Sequence, residues 1–84
     1  MIYMADKIKK ILAKLTKQER NLVQLLIMRI KLDDTLGLDI KQLKGHRALF
    51  RVRRGRIRIV YRKKADVFLI VKIDRRSEDT YKGL

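Results

Sequence analysis

The chain has 84 residues, with 23 Lys and Arg against nine Asp and Glu, one His and no Cys. That is one domain, residues 1–84, with a modest core; disulfides and thiolate metal sites are excluded, and a single His gives no basis for a metal centre or other cofactor. No apolar run approaches the roughly 20 residues of a membrane span or the roughly 7–15 of a signal peptide, so no membrane partner and a cytoplasmic location are expected.

Residues 1–4 suit a short edge strand. Asp6 suits an N-cap, and Ile8, Ile11, Leu12 and Leu15 follow at the spacing of one buried helix face. Thr16-Lys17-Gln18-Glu19 reads as a capping box opening a second helix, with Thr16 bonding forward and Glu19 bonding back. That helix carries Leu22, Val23, Leu25, Leu26, Ile27, Ile30 and Leu32, a wider stripe that predicts deeper burial. Joined at Thr16, the two make a helical hairpin. Asp33, Asp34 and Gly37 end it, and Gly45 punctuates the loop that follows.

The hydrophobic period then falls from 3.6 to 2. Residues 47–54 and 56–62 read as two strands about an Arg54–Gly55 turn. That turn would set Phe50 opposite Ile59, Val52 opposite Ile57 and Ala48 opposite Tyr61 on one face. On the other, Arg51 would oppose Arg58 and Arg53 would oppose Arg56. Residues 67–73 are almost continuously apolar and read as a central strand covered on much of both faces. The expected class is α+β, in the order β-α-α-β-β-β, an antiparallel sheet with the N-terminal helical hairpin packed on one face.

The charge is concentrated in one block. Residues 44–64 hold ten basic residues and no acid, whereas 65–84 hold four of each sign. A block of this kind suits nucleic acid, an anionic membrane surface or an acidic protein. Like charges opposed across a sheet destabilise it, so paired arginines on one face of a hairpin answer to a ligand rather than to folding. Arg in place of Lys favours phosphate, because its planar fork bonds two oxygens at once.

Gln42-Leu43-Lys44-Gly45, then Phe50-Arg51-Val52-Arg53, then Ile57-Arg58-Ile59-Val60-Tyr61, then Ile73-Asp74-Arg75-Arg76 with Tyr81 beyond, resemble in order and spacing the RelE/ParE toxin superfamily. The resemblance implies the fold inferred above. It also implies the toxin of a type II toxin–antitoxin system: a ribosome-dependent, metal-free endoribonuclease that cuts mRNA in the A site and so inhibits translation. In that chemistry a 2′-hydroxyl attacks the neighbouring phosphorus and the 5′-oxygen leaves. By position Arg58 would contact the scissile phosphate, and Arg51 and Arg53 would stand at the two basic strand positions. Arg75 would serve the leaving oxygen, and Tyr81 would stack on or orient a base. Lys44, Arg54, Arg56, Arg62, Lys72 and Arg76 would add contacts to mRNA and ribosomal RNA. The implied protein partner is an acidic antitoxin. One departure matters: relatives with Lys at the strand positions can use one as a general base, and Arg cannot serve so.

The remaining candidates read as structural. His46 is a loop residue, Tyr61 belongs to the core and Tyr3 to edge-strand packing. Asp74, Glu78 and Asp79 suit ion pairs with nearby cations. Two other functions share these features: a ParE-like toxin that cuts nothing and inhibits DNA gyrase, and a non-catalytic basic nucleic-acid-binding module.

Overall fold

In chain order the protein forms β1 (Ile2–Met4), α1 (Asp6–Lys14), α2 (Lys17–Lys31), β2 (Asp39–Gln42), β3 (Leu49–Arg54), β4 (Ile57–Lys64) and β5 (Val67–Arg75). The computed structural model describes residues 2–43, 45, 48–64 and 67–75.

Local chemistry sets the helix ends. α1 is capped by the backbone of Ala5, with no side-chain cap; Asp6 lies one position later than expected, in the first turn. There its charge still favours the positive end of the helix dipole. The capping box at Thr16 forms as predicted: Thr16 Oγ1 accepts from the Glu19 amide at 3.1 Å, and Glu19 Oε1 accepts from the Thr16 amide at 2.8 Å. α2 ends in a Schellman closure. The Asp33 amide donates to Ile30 O at 3.1 Å and the Asp34 amide to Arg29 O at 2.8 Å. Asp33 carries the left-handed φ of +55° that this turn requires. Lys63 Nζ donates to Ile30 O at 2.9 Å and to the Asp33 carboxylate, pinning this helix end to β4.

The sheet order is β1-β5-β4-β3-β2. β2 to β5 are antiparallel, and β1 runs parallel to β5 at one edge. The α+β class and the helices-on-one-face arrangement stand; the strand β2, read from the sequence as loop, is an addition. The predicted register is displaced by two. Phe50 pairs with Tyr61, Val52 with Ile59, Arg53 with Arg58 and Arg54 with Ile57. The two-residue turn is therefore Gly55–Arg56, with Gly55 at φ +59°. A hairpin of this length wants glycine at its first central position, where a side chain at positive φ would be strained. Arg54–Gly55 would have put arginine there.

β5 departs from simple pairing once. Val60 pairs with Lys72 but Tyr61 with Ile70, so Val71 is an extra residue, a β-bulge. Before it Phe68 and Ile70 face the helices; after it Ile73 does. The apolar run 67–73 is thus not covered on both faces: Val67 and Val71 are exposed.

The core fills the space between helices and sheet. Ile8 comes from α1, and Val23, Leu26, Ile27 and Ile30 from α2. Val52, Ile57, Ile59, Tyr61, Phe68, Ile70 and Ile73 come from the strands. Tyr61 stacks between Phe50 and Phe68, with centroids at 5.6 and 5.1 Å. Each aliphatic side chain fully removed from water contributes about 1.5–3 kcal/mol, and these form one contiguous cluster.

Candidate nucleic-acid interface

Alternation along the strands sends Arg51 and Arg53 of β3, and Arg58, Val60 and Arg62 of β4, to the face opposite the helices. Register extends this face. Lys41 pairs with Arg51 and Asp39 with Arg53, while Lys72 pairs with Val60 and Asp74 with Arg58. Two rows therefore cross the sheet. One runs Asp39, Arg53, Arg58, Asp74; the other runs Lys41, Arg51, Val60, Lys72. Neighbouring strands lie about 4.8 Å apart, so each row spans roughly three such steps, a width suited to a stretch of phosphate backbone.

Among the described residues, only one Arg–Arg pair is directly opposed, Arg53 with Arg58. Arg51 faces Val60 instead, and Arg56 sits in the turn. These two corrections follow from the two-residue register shift. Arg51 and Arg53 are also not bare cations. Asp39 accepts from Arg53 Nε at 3.2 Å and lies 3.1 Å from its Nη2, and its other oxygen lies 3.5 Å from Arg51 Nη2. Arg51 is largely covered, its side chain 14% exposed.

Arg58 is different. Its Nε is buried and, among the described residues, has no hydrogen-bond partner. An unsatisfied buried donor costs about 1–3 kcal/mol, and such groups persist where something else supplies the acceptor. Arg58 thus stands between a paired arginine and Asp74, with part of its guanidinium uncommitted. Asp74 is held on one oxygen, Oδ2, by Lys72 Nζ at 3.3 Å. Lys72, 62% exposed, lies on the open face beside Val60.

The other predicted residues distribute as follows. Arg62 is exposed on the open face. Arg54 opposes Ile57 and so takes the helix-side parity, at the exposed end of the hairpin. Arg75 is not brought onto the open face: it pairs with the buried Ile57, and its Nη1 reaches Glu19 Oε1 on α2 at 3.2 Å. Glu19 is held below its ordinary 4.5 chiefly by the Thr16 amide it caps, opposed next by burial, with Arg75 lowering it further. Arg75 therefore braces the end of β5 against α2. Lys44, His46, Arg76, Glu78, Asp79 and Tyr81 lie outside the described residues.

Sequence reasoning missed Asp39. The signal was faint: Asp39-Ile40-Lys41 alternates once, after a Gly37 turn. A shallow apolar groove runs along α2, lined by Met4, Gln24, Ile27, Met28, Lys31 and Leu32. Leu32 is 71% exposed there.

No protein-family model and no curated protein matches the sequence. Solved structures do. A chain of the RelB–RelE antitoxin–toxin complex from Methanococcus jannaschii superposes with a TM-score of 0.71 at 24% identity, covering 96% of each chain. A chain of the archaeal RelE–RelB complex from Pyrococcus horikoshii OT3 gives 0.67 at 24% identity, over 92% of this chain and 94% of that one. At that level of identity the likeness speaks for architecture, and the resemblance found in the strand motifs holds at that level: this chain has the RelE toxin fold.

Proposed function

We propose that this protein is the toxin of a type II toxin–antitoxin pair and cleaves mRNA on the ribosome, in the cytoplasm. The observation that carries the reading is Arg58, with a buried, unpartnered Nε, directly opposite Arg53 on a cationic sheet face of the RelE fold. As the 2′-oxygen attacks, negative charge grows on the phosphoryl oxygens. Guanidinium groups already fixed at that point stabilise the transition state more than the ground state, which is what acceleration requires. The cations of the second row, Lys41, Arg51 and Lys72, would bind the flanking phosphates and add a salt-dependent share of affinity.

The protein partner on this reading is an acidic antitoxin. The solved complexes pair RelE with RelB, and the apolar groove along α2 suits one face of an amphipathic helix, with Lys31 at its rim for an acidic side chain. Purified protein added to translating ribosomes is expected to cut message within codons while leaving gyrase supercoiling untouched. Co-expression of a short acidic protein encoded beside it should restore growth. Supercoiling blocked with message intact would replace this reading with the gyrase one. RNA bound with neither effect would leave a binding module.

A further inference from the structure

Resting on that reading, we propose that Asp74 is the general base that takes the proton from the attacking 2′-hydroxyl. The reaction needs an acceptor for that proton. The arginines of the open face have none to offer, and Lys72 and Lys41 as ammonium groups carry three donors and no acceptor. Two described carboxylates share the face with Arg58 and Arg53, Asp39 and Asp74. Asp39 has both oxygens committed to guanidinium groups, Oδ1 towards Arg51 and Oδ2 towards Arg53. Asp74 has Oδ2 against Lys72, and among the described residues nothing bonds its Oδ1.

Its position fits the task. Asp74 is directly opposite Arg58 on the neighbouring strand, so the two Cβ atoms lie about 4.5–5.5 Å apart. A 2′-hydroxyl and the phosphate it attacks belong to one nucleotide, so a base one strand away from the phosphate-binding cation matches their separation. Lys72 fixes the carboxylate by its other oxygen, and the side chain is 43% exposed, open to substrate.

The step balances without a co-reactant. Asp74 Oδ1 takes the hydroxyl proton as the 2′-oxygen bonds to phosphorus. The P–O5′ bond breaks, and the departing oxygen takes a proton from solvent. The products are a 2′,3′-cyclic phosphate and a 5′-hydroxyl, and Asp74 returns its proton to water.

The test measures single-turnover cleavage on programmed ribosomes, together with RNA affinity and melting temperature, for Asp74→Asn, Asp74→Glu and Asp74→Ala. A positioned general base contributes typically 10²–10⁴-fold, so Asp74→Asn should slow cleavage by about 100-fold or more. Its RNA affinity should stay level or rise, since a negative charge leaves a cationic face. Asp74→Glu should recover part of the rate, and added formate should partly rescue Asp74→Ala, an effect a purely structural carboxylate would not give. Wild-type cleavage by Asp74→Asn would reduce Asp74 to a counter-ion for Lys72 and overturn the proposal alone. A slowed variant with lower melting temperature or lost RNA binding would overturn it too. No cleavage by the wild-type protein would remove both this inference and the nuclease reading.

Discussion

On the helix side of the sheet, Val52, Ile57, Ile59, Tyr61, Phe68, Ile70 and Ile73 are buried, and two cations on that side end on partners: Lys63 on Ile30 and Asp33, Arg75 on Glu19. On the open side, the same strands present Arg53 opposed to Arg58, and Arg58 keeps a donor without an acceptor. The strands are shared, so the contrast is not one of local propensity. One face is satisfied internally and carries the stability. The other is left with an unmet donor that an anion can complete, and carries the affinity. Substitutions can separate the two faces.

The largest effect should come from the covered face. Ile59→Ala removes a side chain that is 0% exposed and should cost about 2–5 kcal/mol. In a domain of this size that lowers the melting temperature by more than about 10 °C, as a thermal melt would register. A melt unchanged within two degrees would mean that the faces are assigned the wrong way round.

Next comes Arg58→Ala on the open face. Cleavage should fall by about 100-fold, with Arg58→Lys recovering only part because it cannot bond two oxygens at once. The melting temperature should hold, since the Nε gives up no hydrogen bond. A matching loss of stability would make Arg58 structural and blur the contrast.

A pH experiment sharpens the covered side. Burial pushes the Tyr61 hydroxyl up to about 12. Its neutral form is the one the fold favours, so its contribution is complete below the ordinary value near 10 and is lost as pH rises towards 12. Between pH 9 and 11.5 the wild type should lose up to about 2 kcal/mol more than Tyr61→Phe in denaturant titrations. Equal losses would mean that the ring is solvated.

The smallest effect should come from Asp39→Asn. With the carboxylate no longer charged, Arg51 and Arg53 become available to phosphate. RNA affinity should rise a few-fold and the slope of log affinity against log salt should steepen by roughly one. A fall in affinity would show that Asp39 orders the two arginines rather than competing for them.

Much of this was legible from the sequence, and for physical reasons. The hairpin register differs by two residues from the expected one, yet the side chains that remain in the strands keep their faces, because strand side chains alternate with a period of two. The misreading came from the turn: Gly55 was placed second in it rather than first. β2 escaped notice because four residues with one inward apolar side chain, Ile40, carry too little pattern; only pairing with β3 makes them a strand. Asp39 was hidden with it. The motif match gave Arg75 a place near the phosphate, but residue spacing carries no information about Glu19, which waits on a helix 56 residues earlier in the chain.

The bulge at Val71 has a consequence of another kind. From Phe68 and Ile70, strict alternation would carry Lys72 and Asp74 inward, beneath the helices, and push Ile73 out. The single extra residue reverses this parity, so chain length rather than residue identity decides what β5 offers to each side. Pairing β5 without the bulge would exchange the two sides over the rest of the strand, burying a charged pair and exposing an isoleucine, whereas removing Val71 would leave a regular ladder with Ile70 and Ile73 inward and Lys72 and Asp74 outward. The bulge therefore sets what β5 shows on the open face as much as the identity of the residues that follow it.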